Sequence, residues 1–108
     1  MRSPRLFAYG TLLDGTIQRR VFGRTVAPAP ASVAGWRVMP TLVRARYPGV
    51  VRADRAETRG GILVLRSGEL TKADAYEDAP RLYRRCRVTA RSGRASVRCW
   101  MYVPTVQP

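Results

Sequence analysis

Histidine is absent from the 108-residue chain, which excludes His-dependent serine and cysteine hydrolases, His metal sites and imidazole acid–base chemistry together. Lysine is nearly absent, Lys72 being the single instance among twenty basic residues. Two cysteines, Cys86 and Cys99, supply neither a four-thiolate zinc site, nor a CxxC redox pair, nor a framework of several disulfides, and no metal site is expected. Seven carboxylates remain, on Asp14, Asp54, Glu57, Glu69, Asp74, Glu77 and Asp78. Proton-transfer chemistry in this chain would fall to one of them or to Lys72. No run approaches the roughly 20 apolar residues of a membrane span, and the opening MRSPRLFAYG lacks the apolar stretch and cleavage site of a secretion signal. The expectation is a cytoplasmic protein with reduced thiols.

What is present fits one globular domain over residues 1–108, with 45% apolar and 25% charged side chains. A net charge of +13 invites a nucleic-acid reading, since phosphate neutralisation drives non-specific binding. The arginines, however, are scattered and accompanied by abundant Ala, Gly, Pro and Val, a composition that a GC-biased genome yields without selection for binding. Nucleic acid is therefore not the expected partner.

Leu6-Phe7-Ala8-Tyr9 reads as a buried strand that runs into a loop at Gly10. Ile17 to Phe22 predicts a helical turn stopped by Gly23. Between Thr25 and Met39, Pro28, Pro30 and Gly35 suggest two short edge or bulged strands, and Tyr47-Pro48-Gly49 suggests a turn. Val50-Val51 and Gly61 to Leu65 read as strands joined by a polar connection over Asp54 to Arg59. Glu69 to Asp78 is the clearest helix, with an acidic first turn and Pro80 beyond its end. Leu82 to Ala90 and Ala95 to Val103 form a hairpin; a turn centred on Ser92-Gly93 would oppose Cys86 to Cys99, Val88 to Val97 and Arg87 to Arg98.

Helical spacing places Glu77 on the same stripe as Leu70 and Ala73. An ionised carboxylate there must be compensated or useful, because burying it unpaired costs several kcal/mol. Two readings follow. An ion pair with one of the many arginines is the plainer and, by counting alone, the favoured one; a raised pKa suited to taking and returning a proton near neutrality is the other. Tyr9-Gly10-Thr11-Leu12 likewise divides between an ordinary turn with Gly10 at positive φ and a strand end whose backbone N–H groups cradle an anion.

Taken in order, these segments resemble the gamma-glutamyl cyclotransferase-like family, especially its gamma-glutamylamine cyclotransferase branch. The resemblance runs from Leu6-Phe7-Ala8-Tyr9-Gly10-Thr11-Leu12 through Gly35-Trp36-Arg37-Val38, Tyr47-Pro48-Gly49-Val50-Val51 and Arg59-Gly60-Gly61-Ile62-Leu63. It ends on Ala73-Asp74-Ala75-Tyr76-Glu77 and Leu82-Tyr83-Arg84-Arg85. It implies an α+β fold, a small mixed β-barrel with flanking helices. It also implies an enzyme that needs no cofactor, with Glu77 as the proton-transfer residue. Tyr9, Gly10, Thr11 and Leu12 would then bind the glutamyl head group, and Tyr83 would either line the pocket or only pack. The implied reaction cyclises a gamma-glutamyl group to 5-oxoproline and frees an amine. Two departures stand out: Asp78 replaces the Gly that commonly follows the catalytic Glu, and Ala73 replaces a Leu. Asp78 would either raise the Glu77 pKa by like charge or sit solvated at the helix end.

The expected partner is a small gamma-glutamyl compound, with homodimerisation open and no membrane. A non-catalytic binding module for gamma-glutamyl or other anionic ligands is the alternative within the same fold. An arginine-rich nucleic-acid binder, using Arg85, Arg87, Arg91, Arg94 and Arg98 beside Trp100 and Tyr102, is the alternative from another class.

Overall fold

A computed structural model describes residues 3–107. Five strands close into a mixed barrel: β1 (Arg5–Ala8), β2 (Ala29–Val43), β3 (Tyr47–Val64), β4 (Tyr83–Ser92) and β5 (Ala95–Pro104), in the spatial order β1-β3-β2-β4-β5. All neighbours are antiparallel except β1 and β5, whose parallel pairing of Leu6 with Trp100 and Phe7 with Met101 completes the ring. Two helices flank it, α1 (Gly15–Phe22) and α2 (Glu69–Glu77). This is the α+β barrel that the resemblance implies. Among the described residues no helix is long and apolar enough to cross a membrane.

Strand alternation divides the apolar residues between two faces. Phe7, Ile62, Val88, Ala90, Cys99 and Met101 fill one core, while Leu6, Ala8, Leu63 and Tyr102 point the other way and meet Phe22 and Ala73 from the helices. Each helix is fixed by a specific polar contact. Asp14 caps α1 by accepting the N–H groups of Thr16 at 2.7 Å and Ile17 at 3.4 Å, so the helix begins two residues earlier than its apolar spacing suggests. Gly23 ends it at φ 76°, as expected. Glu69 is buried, not a solvated first-turn acid. It accepts the Arg66 N–H at 2.6 Å and both Nε and Nη2 of Arg24, at 2.9 and 2.7 Å. That forked contact ties the segment after α1 to the start of α2.

The largest departure from the sequence reading is the β2–β3 hairpin. Thr25 to Met39 does not divide into two short strands; β2 is one 15-residue strand, bent by register shifts between Ala34 and Trp36 and between Met39 and Val43. Gly35 supplies the first bend at φ 87°, and the buried Thr58 hydroxyl donates to the Trp36 carbonyl there at 2.8 Å. Asp54 to Arg59 is not a connection but the middle of β3, with Asp54, Arg55, Glu57 and Arg59 exposed and Thr58 buried. The turn falls at Arg44–Arg46, ahead of Tyr47-Pro48-Gly49, which lie in β3. Beyond the bend, Trp36 to Val43 and Tyr47 to Arg52 pair only with each other, forming an arm past the closed ring.

The β4–β5 hairpin also closes one residue later than counted. Gly93 takes φ 59° as the first central residue, with Arg94 second, and Ser92 opposes Ala95. Moving the centre by one shifts every partner by two and leaves the faces unchanged. Cys86 therefore faces Met101, Cys99 faces Val88, and both thiols are free. Arg87 opposes Trp100 instead of Arg98. Its guanidinium lies 4.3 Å from the indole centroid, with that of Arg85 at 4.7 Å, so cation–π contact replaces the expected repulsion.

Candidate active site

A cavity of about 300 Å³ opens where the ends of β1, β4 and β5 meet α2, beneath the arm of the β2–β3 hairpin. Its size suits a small ligand. Every residue proposed for the site from sequence lines it: Glu77, Tyr9, Gly10, Thr11, Leu12 and Tyr83. Reading the chain by segments missed Tyr47, Tyr76 and Tyr102 from the same wall, and Arg44 and Arg81 at its edge. The Tyr47-Pro48-Gly49 and Ala73 to Glu77 segments of the resemblance contain Tyr47 and Tyr76 but gave neither a role.

Glu77 ends α2 with its carboxyl toward the cavity. Among the described residues no basic group lies within ion-pairing distance of it. The ion-pair reading is thereby overturned: the arginines go elsewhere, Arg24 to Glu69, Arg85 to Asp74 and Arg81 to Asp78. Burial, with no compensating cation, raises the Glu77 pKa from 4.5 to about 7. Asp78 does not contribute. It caps the helix in the left-handed region at φ 55° and pairs with Arg81 at the surface, the solvated helix-end role. Glycine, without a Cβ, would adopt this φ > 0 without strain, which suits the glycine that the resemblance leads one to expect at this place.

The loop after β1 is held from behind. Thr11–Leu13 form one 3₁₀ turn in which Leu13 N–H donates to the Gly10 carbonyl at 3.1 Å. The buried Gln18 amide donates to the Leu12 carbonyl at 2.9 Å and accepts the Val26 N–H at 2.7 Å. Gly10 is not at positive φ, having φ −129°; its glycine suits the close approach of the arm, since a Cβ would stand 3.2 Å from the Pro48 ring, a tight contact. Thr11 and Leu12 precede the first donor of that turn, so their N–H groups begin it without a partner inside it.

Tyrosine hydroxyls frame the rest. Tyr9 donates to the Tyr102 carbonyl at 2.6 Å, Tyr83 to the Pro48 carbonyl at 2.7 Å, and Tyr102 to Asp74 Oδ1 at 2.7 Å. Thr11 and Tyr76 share a 2.6 Å hydrogen bond across the opening. Burial pushes the Tyr83 phenol up to about 12 and lifts Tyr9 and Tyr102 higher still. These groups stay protonated at neutral pH, which leaves Glu77 as the cavity group that titrates there. Of the two alternatives open for Tyr83, it lines the wall, and its hydroxyl also fastens the arm. Asp74 joins α2 to the barrel, since the same Oδ1 also receives Arg85 Nε at 2.8 Å. Of the two aromatics beside the arginines, Tyr102 is buried and Trp100 is covered by two guanidiniums, so neither offers an open stacking surface.

The structure is thus of the α+β class, a closed mixed barrel whose flanking helix ends in a carboxyl without an ion-pair partner among the described residues. The chain belongs to the gamma-glutamyl cyclotransferase, AIG2-like family, whose model matches residues 6–108. Among solved structures, a protein of Arabidopsis thaliana is 24% identical with a TM-score of 0.83, over 96% of this chain and 63% of its own. A structure described as a gamma-glutamyl cyclotransferase is 14% identical, with a TM-score of 0.83 over 96% of this chain and 68% of that one. An AIG2-like protein from Mus musculus is 17% identical, with a TM-score of 0.74 over 100% and 81%. At these identities the likeness is one of fold. This chain spans less than two thirds of the Arabidopsis protein's length. A search of curated proteins finds no match.

Proposed function

We propose that the protein is a gamma-glutamyl cyclotransferase acting on a small gamma-glutamyl conjugate, with gamma-glutamylamines among its substrates and Glu77 as the group that moves the proton. The observation that carries this reading is the Glu77 carboxyl itself, facing a small cavity with no cation within ion-pairing distance among the described residues, its pKa raised to about 7. A carboxyl poised there is half ionised near neutrality, the condition under which one group both accepts and returns a proton efficiently.

The steps balance without a cofactor. Glu77 takes a proton from the substrate α-ammonium. The freed amine nitrogen then attacks the γ-carbonyl carbon of the same glutamyl unit, forming the ring C–N bond. As the tetrahedral centre collapses, the bond to the leaving nitrogen breaks as Glu77 delivers that proton there, and the second proton, shed by the ring nitrogen as it becomes the lactam N–H, leaves with the amine as its ammonium. The products are 5-oxoproline and a free amine. Because nucleophile and electrophile belong to one molecule, holding the glutamyl chain folded supplies much of the acceleration. The N–H groups of Thr11 and Leu12 are suited to the α-carboxylate or the carbonyl oxygen, and the Gly10 backbone admits the close approach. A cytoplasmic location, where Cys86 and Cys99 remain thiols, belongs to the same proposal.

The test is release of 5-oxoproline from a panel of gamma-glutamyl amines, amino acids and peptides by the wild type and by Glu77→Gln. Release that falls by about 10²–10⁴-fold in the variant is expected of a lost general acid–base. Ligand binding without release would move the protein to the non-catalytic binding module; neither binding nor release across the panel would sink the gamma-glutamyl reading altogether.

A further inference from the structure

The cavity is graded from floor to rim. Tyr83 and Tyr102 are buried beside Glu77, whereas Thr11, Arg44, Tyr47 and Tyr76 are exposed at the opening. Cyclisation requires the α-amine and the γ-carbonyl of one glutamyl unit to reach Glu77 together, so the head occupies the floor. The other side of the bond that breaks then extends toward the rim.

The rim carries two arginines of different standing. Arg81 is committed to Asp78. Arg44 has no carboxylate within ion-pairing distance among the described residues. Its backbone is also unusual: Arg44 and Ala45 form the centre of a tight turn at φ 54° and 52°, closed by the Arg46 N–H on the Val43 carbonyl at 3.1 Å. Glycine and asparagine take that conformation at little cost, and arginine and alanine do not. Strain of this kind persists where surrounding structure enforces it, often at ligand sites. The neighbouring Arg46 leans on the Tyr47 ring at 5.8 Å and does not line the cavity, so the turn sends one guanidinium to the opening and parks the other outside.

We propose that Arg44 determines leaving-group specificity, selecting gamma-glutamyl conjugates whose amine half carries its own carboxylate. The inference rests on the cyclotransferase reading and adds to it the charge of the departing half. An uncompensated guanidinium at the rim attracts an anionic leaving group and repels a cationic one.

The experiment compares kcat/KM for gamma-glutamyl-alanine and gamma-glutamyl-ethylamine, which differ by one carboxylate, in the wild type, Arg44→Gln and Arg44→Lys, at low and high salt. The wild type is expected to prefer the alanine conjugate on the order of fivefold, the ratio for a partly exposed charge pair. Salt should narrow that preference. Arg44→Gln should bring the ratio toward one, and Arg44→Lys should keep most of it. Equal use of both substrates by the wild type would overturn the proposal. So would a parallel fall of both in Arg44→Gln at constant ratio, which would assign Arg44 to the glutamyl head and leave the cyclotransferase reading intact. Absence of 5-oxoproline from every member of the wider panel would instead remove the reaction, and this inference with it.

Discussion

Replacing Glu77 by Gln should make the protein more stable as well as inactive, and the gain should depend on pH in a defined way. The unfolded chain releases the Glu77 proton near the ordinary carboxylate value of 4.5, while the folded chain holds it until about 7. Between those values the folded state binds the extra proton, so wild-type stability falls as pH rises through that window and levels off above it. A displacement from 4.5 to about 7 is worth roughly 3 kcal/mol. Partial solvent access to the carboxyl reduces this to about 2 kcal/mol. Gln keeps the shape and does not titrate. Urea unfolding of both proteins at half-unit steps from pH 4.5 to 8 reads the difference directly, and titrations common to both cancel. The variant's advantage should be smallest at pH 4.5, grow through neutrality and reach its plateau near pH 8. A difference that stays constant across the range would mean that Glu77 is not desolvated, and the argument for its role would lose its physical basis.

The same displacement predicts a rising limb in kcat/KM: below pH 7 the rate should drop about tenfold per pH unit as Glu77 becomes protonated and cannot accept the α-ammonium proton, and a profile flat from pH 5 to 8 would contradict it. Glu69→Gln should be destabilised at neutral pH, because the Arg24 guanidinium holds the Glu69 carboxyl below its usual value. That deficit should close as pH falls below the ordinary carboxylate range and wild-type Glu69 takes up its proton, which urea titrations at pH 3 and 7 would register. Asp78→Gly should relieve the left-handed cap at φ 55°, stabilising by about 0.5 kcal/mol after loss of the exposed Arg81 pair; a decrease in the urea midpoint would refute that balance.

Local pattern was enough for the elements that carry the chemistry and not for those that surround it. Glu77 is legible because helical spacing alone puts it on an apolar stripe, and Tyr9-Gly10-Thr11-Leu12 because a strand ends abruptly at a glycine. Whether Glu77 has a partner is a three-dimensional matter. Nineteen arginines made an ion pair the safer expectation, yet Arg24, Arg81 and Arg85 go to Glu69, Asp78 and Asp74, Arg52, Arg85 and Arg87 lie on the two tryptophans, and among the described residues none pairs with Glu77. The β2–β3 hairpin misled for a related reason. Pro28, Pro30 and Gly35 signal interruption, but Gly35 bends one strand without ending it, and the true turn at Arg44–Arg46 has none of the usual turn residues because its backbone conformation is unfavourable for its sequence. Gln18 gave no signal at all: a polar residue on a short amphipathic helix does not announce that it faces inward to hold a neighbouring loop.

The arm beyond the barrel has an evolutionary consequence. Glu77 sits on a helix braced by Asp74 and Glu69, whereas the lip over it is the tip of a ribbon whose outer strands form ladder pairs only with one another, with Tyr83 and Gln107 as side-chain tethers. Lengthening, shortening or recharging that tip leaves the barrel ladders and the helix in place while remaking the stretch of cavity wall that Arg44, Tyr47 and Pro48 supply. On the proposed reading, one reaction is re-addressed to new conjugates by editing a few residues around Arg44, an economical route to diversification for a chain this short.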